Sequence, residues 1–91
     1  MLENNMKISV ELTLTPLQDD YEPLIKDFIK LLRKSEFKII ENPLSTHVFG
    51  NYYDVMCFLN KTIHDTFIKS ENVIMNMKIF KTDRSNYKPT F

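Results

Sequence analysis

Over residues 7–15 the chain alternates without a break, with Ile8, Val10, Leu12 and Leu14 on one parity and Ser9, Glu11, Thr13 and Thr15 on the other. Successive side chains of a strand point to opposite faces, so this stretch predicts a first strand with one buried face. Pro16 ends it, because proline has no amide hydrogen to give a sheet ladder. The period then changes: Leu24, Ile25, Phe28, Ile29 and Leu32 recur at helical spacing, while Lys26, Asp27, Lys30 and Arg33 lie mostly off the stripe. Asp19 and Asp20 supply capping groups ahead of this helix, and Glu22 completes a capping-box spacing with Asp19. Pro23 is tolerated in a first turn, whose amides lack intrahelical partners. Arg33 and Lys34 suit the negative end of the helix dipole.

Residues 37–41 are short and β-rich, Pro43 interrupts them, and residues 46–49 resume an extended pattern. Two adjacent strands joined by a tight connection are expected. Gly50, the single glycine, stands where the third strand must turn into a second helix, and suggests a backbone angle that other residues tolerate poorly, although a plain helix entry would also accept it. That helix has Asn51 as its cap and Asp54 in its first turn. Its apolar stripe is Tyr52, Val55, Met56, Leu59, Ile63 and Phe67, and it ends near Lys69. Val73, Met75, Met77 and Ile79 then alternate with Ile74, Asn76, Lys78 and Phe80 as a last strand, with the methionines most simply in the core. Residues 83–91 read as a loose polar tail, or one that packs on a partner subunit. The element order predicts an α+β, ferredoxin-like βαββαβ domain over residues 6–82, its four-stranded antiparallel sheet covered by two helices on one face.

Ninety-one residues, 43% of them hydrophobic, suffice for one core and not for two domains. A domain this small buries only about 60 to 70% of its unfolded surface, so self-association would add useful burial. Twelve basic and twelve acidic residues cancel, which removes the long-range field that nucleic acid or an anionic membrane would need. The lone Cys57 makes no internal disulfide, residues 1–7 lack the apolar stretch of a secretory signal, and no apolar segment approaches the roughly 20 residues that cross a bilayer. A soluble cytoplasmic protein is expected.

With Ile8, Val10, Leu12 and Leu14 facing the helices, the same parity sends Ser45, His47, Phe49, Ile74, Asn76, Lys78 and Phe80 to the uncovered face, beside Glu11 and Thr13. A solvated face reads as polar throughout. Phe49, Ile74 and Phe80 together therefore argue that another subunit, a ligand, or both cover it.

Two stretches, Ile8-Ser9-Val10-Glu11-Leu12-Thr13-Leu14-Thr15-Pro16-Leu17 and Asn42-Pro43-Leu44-Ser45-Thr46-His47-Val48-Phe49-Gly50, resemble the small thiamin-binding, YkoF-like family. Its members show a strand ending in Pro-Leu and a later Pro-Met-Ser-Thr motif running to Glu-Gly. The resemblance implies a homodimer or homotetramer that binds thiamin or its hydroxymethylpyrimidine part, without reaction and without a cofactor, in thiamin salvage, delivery or sensing. Leu44 stands in place of the family's usual methionine, Phe49 where glutamate is frequent, and Gln18 where glycine often follows Pro-Leu. An aminopyrimidine needs an aromatic surface and a few convergent hydrogen-bonding groups. Phe49 can supply the surface, and Thr13, Ser45, Thr46 and Asn76 the polar contacts, with His47 a further contact. Glu11 can offset the thiazolium charge.

Other chemistry is poorly served. Cys57 and His64 lie about 10.5 Å apart along a helix axis and cannot share a hydrogen bond, so no catalytic dyad is expected. Two histidines and one cysteine without close spacing make no metal site. An RNA-binding domain of the same topology is disfavoured by zero net charge and by the lack of a Lys/Arg-Gly-aromatic motif on the third strand. An acylphosphatase-like enzyme needs an arginine in the loop after the first strand, and residues 16–20 contain none. A ligand-free oligomerising module using the open face is the competing expectation.

Overall fold

The unbroken alternation of the first strand makes it the longest and best-paired of the sheet. In a computed structural model, which describes residues 6–91, the elements are β1 (Lys7–Pro16), α1 (Glu22–Arg33), β2 (Lys38–Glu41), β3 (Thr46–Asn51), α2 (Tyr52–Lys69) and β4 (Val73–Lys81). Residues 1–5, on which part of the reading of no secretory signal rests, lie outside the described residues. The sheet order is β2-β3-β1-β4 with every neighbouring pair antiparallel, and the helices cover one face, which is the ferredoxin-like α+β fold. No helix among the described residues is long and apolar enough to cross a membrane.

The core is where the apolar parity of β1 meets the helices: Ile8, Val10 and Leu12 pack with Val48 of β3, Phe28 and Leu32 of α1, and Val55 and Leu59 of α2. Burying such side chains contributes roughly 1.5 to 3 kcal/mol each before entropy is counted. A bidentate Arg33 to Glu41 contact, at 2.6 and 2.7 Å, ties the end of α1 to the end of β2.

Four local expectations are corrected. Neither helix is capped by a side chain: Tyr21 rather than Asp19 or Asp20 precedes α1, and Asn51 precedes α2 without a capping bond, its Oδ1 buried and unpartnered among the described residues. Gly50 has no positive φ. It is needed for space instead, since a Cβ there would stand 2.7 Å from Phe37 Cδ1 and 2.9 Å from Val55 Cγ2. The buried stripe of α2 runs Val55, Leu59, Thr62, Thr66, leaving Phe67 exposed; Thr66 satisfies its hydroxyl on the Thr62 carbonyl at 2.9 Å. Finally, Met77 and Ile79 share the helix-facing parity of β4 yet are exposed, because β4 is an edge strand.

The first part of the C-terminal tail, residues 82–87, packs back on the chain's own sheet. At Thr82 the chain turns with φ 130°, an angle a β-branched residue rarely adopts, and leaves the edge of the sheet. Its amide donates to the Lys7 carbonyl at 3.0 Å, and the Ser9 hydroxyl donates to the Thr82 carbonyl at 2.8 Å. The Arg84 amide then donates to Ser9 Oγ at 2.8 Å, and Lys78's strand is left behind as Asn86 reaches Lys38 of β2 at 3.4 Å. Phe80, Ser9, Phe49 and Lys38 form one row across the sheet, so the tail crosses the uncovered face of its own chain along that row.

Candidate functional site

The row next to the tail carries the charges. Register places Glu11 of β1 between His47 of β3 and Lys78 of β4, all on the uncovered face. Ser45, the last residue of the connection before β3, donates its hydroxyl to Glu11 Oε2 at 3.2 Å. The Asn42 amide bonds the Ser45 carbonyl at 2.9 Å, which closes the Asn42-Pro43-Leu44-Ser45 turn and sets the hydroxyl there. His47 Nε2 lies 3.3 Å from Ser45 Oγ and 3.4 Å from Glu11 Oε2; the network assigns the proton to Nε2, which then faces both oxygens. Lys78 Nζ approaches Oε1 at 3.6 Å. The Ser45 hydrogen bond, and after it the His47 ring and the Lys78 charge, hold the Glu11 carboxyl below the ordinary carboxylate range, against the opposing effect of partial burial.

The aromatic surface lies beside this carboxylate. Phe49 is only 5% exposed although it sits on the helix-free face, because the tail passes over its row. The His47 ring meets it edge-on, with centroids 6.2 Å apart and planes at 76°. Phe80 and Tyr87 stand at the tail side with the Arg84 guanidinium over both rings, 5.4 and 5.1 Å from their centroids. Together the sheet and the tail enclose an open cleft of about 480 Å³, whose lining runs from Glu11, His47 and Lys78 through Phe49 and Phe80 to Arg84 and Tyr87. That volume suits a one- or two-ring ligand.

Of the residues expected to form a site, Glu11, His47 and Phe49 line the cleft, and Ser45 bonds Glu11 and His47 from outside its lining. Thr13 and Asn76 oppose each other one step further along the same face, outside the cleft lining. Thr46 is not among them: it pairs with Leu12 on the helix-facing side and is buried there. Sequence reasoning missed Arg84, Ser85 and Tyr87, since a polar tail has no period, and Ile40 of β2, whose neighbour Ile39 is equally apolar and hides the parity of that strand. Cys57 and His64 are both exposed, and the one polar side-chain contact of His64 among the described residues is Asp65, at 3.4 Å. Among the described residues no group of three or more His, Cys, Asp or Glu can hold a metal ion.

No protein-family model matches the sequence, and no curated protein does. Solved structures do share the fold. A Streptococcus pneumoniae protein superposes with a TM-score of 0.79 at 24% identity, over 89% of this chain and 92% of its own. A Thermotoga maritima protein, provisionally assigned to thiamine biosynthesis or salvage, gives 0.76 at 17% identity over 84% of each chain. A Bacillus cereus domain of unknown function gives 0.67 at 16% identity, over 94% of this chain and 80% of that one. At these identities the likeness is one of fold: the chain has the βαββαβ architecture of these proteins.

Proposed function

We propose that this chain is a non-enzymatic, cytoplasmic binder of thiamin or its hydroxymethylpyrimidine part, acting as a homo-oligomer in salvage, delivery or sensing. The observation that carries the reading is the Glu11 carboxylate, kept ionised by Ser45, His47 and Lys78 on the floor of a cleft with aromatic walls. A carboxylate accepts from the exocyclic amine of an aminopyrimidine or offsets a thiazolium charge, and Phe80 and Tyr87, about half exposed, offer apolar surface to flat rings. The Thermotoga maritima neighbour, with its provisional place in thiamine metabolism, agrees with this choice of ligand.

Thiamin or hydroxymethylpyrimidine at millimolar concentration should raise the melting temperature, and Glu11→Gln, which keeps the shape and removes the charge, should weaken binding about tenfold or more. A folded protein whose melting point neither compound moves would defeat the reading.

A ligand-free oligomerising module is the second reading, favoured by Ile74 and Phe80, which remain exposed on the helix-free face. Phe80→Lys separates the two: an oligomer that dissociates, from a wild-type protein that never binds either compound, favours the module.

A further inference from the structure

The cleft is polarised. Glu11 stands at one end; Arg84 stands at the other, on the row of Ser9 and Phe80, about 7 Å further along β1 by strand geometry. The backbone of Arg84 is pinned, its amide on Ser9 Oγ and its carbonyl accepting from the Tyr87 amide at 3.1 Å. Its guanidinium is held by Phe80 and Tyr87. An aromatic face satisfies the charge of a guanidinium without using its in-plane N–H donors. Those donors are unspent: none of the ion pairs or side-chain hydrogen bonds formed among the described residues involves the guanidinium. The adjacent acid, Asp83, is turned away onto the Ser85 amide at 2.8 Å and faces the charges of Lys38 and Lys7.

A planar cation stacked on two rings in the lining of a cleft, with its donors uncommitted, matches a planar or tetrahedral oxyanion. We propose that the natural ligand carries an anionic group at the end away from Glu11, received by Arg84, so that the cleft prefers the phosphate monoester of its heteroaromatic alcohol to the free alcohol. This rests on the function proposed above and narrows its ligand class. The tail thereby becomes part of the binding site.

The test is calorimetric titration of the full chain with thiamin and with thiamin monophosphate at low salt. The monophosphate should bind about tenfold tighter, the increment of one exposed charge-assisted contact. Arg84→Gln should bring the ratio of the two affinities to about one, whichever way each affinity moves, and Arg84→Lys should leave it intermediate. Arg84 is exposed, so unchanged melting temperatures will certify that the variants fold. Equal affinities in the wild type, or a preference that survives Arg84→Gln, would overturn the proposal and leave Arg84 as a clasp for the tail while thiamin binding stands. Binding of neither compound would defeat the functional reading and this one with it.

Discussion

β1 and β4 have the same alternation, lie side by side in full register, and end up in different environments. Val10 faces Ile79 and Leu12 faces Met77, yet the first members are 1% and 2% exposed and the second 43% and 40%. Alternation determines which face a side chain takes, whereas position in the sheet determines whether that face is covered. β1 is central, with β3 and both helices around it, while β4 is an edge with no strand beyond it among the described residues.

The sharpest way to break the comparison is to truncate both members of one pair. Leu12→Ala should cost about 2 to 5 kcal/mol, the range for a methylene-lined cavity in a core that cannot collapse. Met77→Ala, one strand away, should cost less than about 1 kcal/mol. Equilibrium urea unfolding measures both, and similar costs would mean that β4 is covered after all.

Gly50 probes the packed side of β1, where it pairs with Ile8. The Cβ of Gly50→Ala would overlap the Phe37 ring, itself held by Phe58 at 5.4 Å, and the fully buried Val55. Neither neighbour is a free end, so the expected loss is about 1 to 3 kcal/mol by the same unfolding measurement. An unchanged midpoint would show that Phe37 yields.

These pairs also show how far the sequence could be read. The parities of β1 and β4, the open face and the Glu11, Ser45, His47 grouping were legible because a period of two propagates along a strand and across a register. Burial on β4 was not, since it depends on which strand has a neighbour. Thr46 was misleading in the same way: it adjoins Ser45 in the motif, and one step along the strand carries it through the sheet to Leu12. The tail was illegible for a different reason, because Arg84 is placed by its amide on the Ser9 hydroxyl, Tyr87 by its amide on the Arg84 carbonyl, and both by a single strained turn, none of which leaves a pattern in composition.

That turn supplies a smaller effect at the end of β4. Thr82 at φ 130° stores about 1 kcal/mol or more of backbone strain, and glycine relieves it while losing about 0.5 to 1 kcal/mol of chain entropy. Thr82→Gly should therefore be neutral to slightly stabilising by differential scanning calorimetry, in contrast to Thr13→Gly inside β1, which removes a strand side chain and should destabilise.

The smallest effect concerns Glu11, whose carboxylate reaches from β1 to Lys78 of β4. Glu11 is bonded on the β3 side by Ser45 and His47 and on the β4 side only by Lys78 at 3.6 Å. Its carboxyl lies below the ordinary value of 4.5 in the folded chain, Ser45 being the first cause. A depressed carboxylate contributes stability that is fully present above its unfolded value and is lost as the pH falls through its folded one. The stability advantage of the wild type over Glu11→Gln should thus shrink on acidification from about pH 5 downward. Glu41 and Asp83 are also held low, so the total acid loss is not diagnostic; the difference between the two proteins is. Salt should narrow that difference, since Glu11 is 40% exposed and its contacts are screened. Because the β3-side hydroxyl leads, Ser45→Ala should remove more of the pH dependence than Lys78→Met. The reverse order, in melting temperatures followed across this pH range, would move the electrostatic centre of the site from the covered side of β1 to its exposed edge.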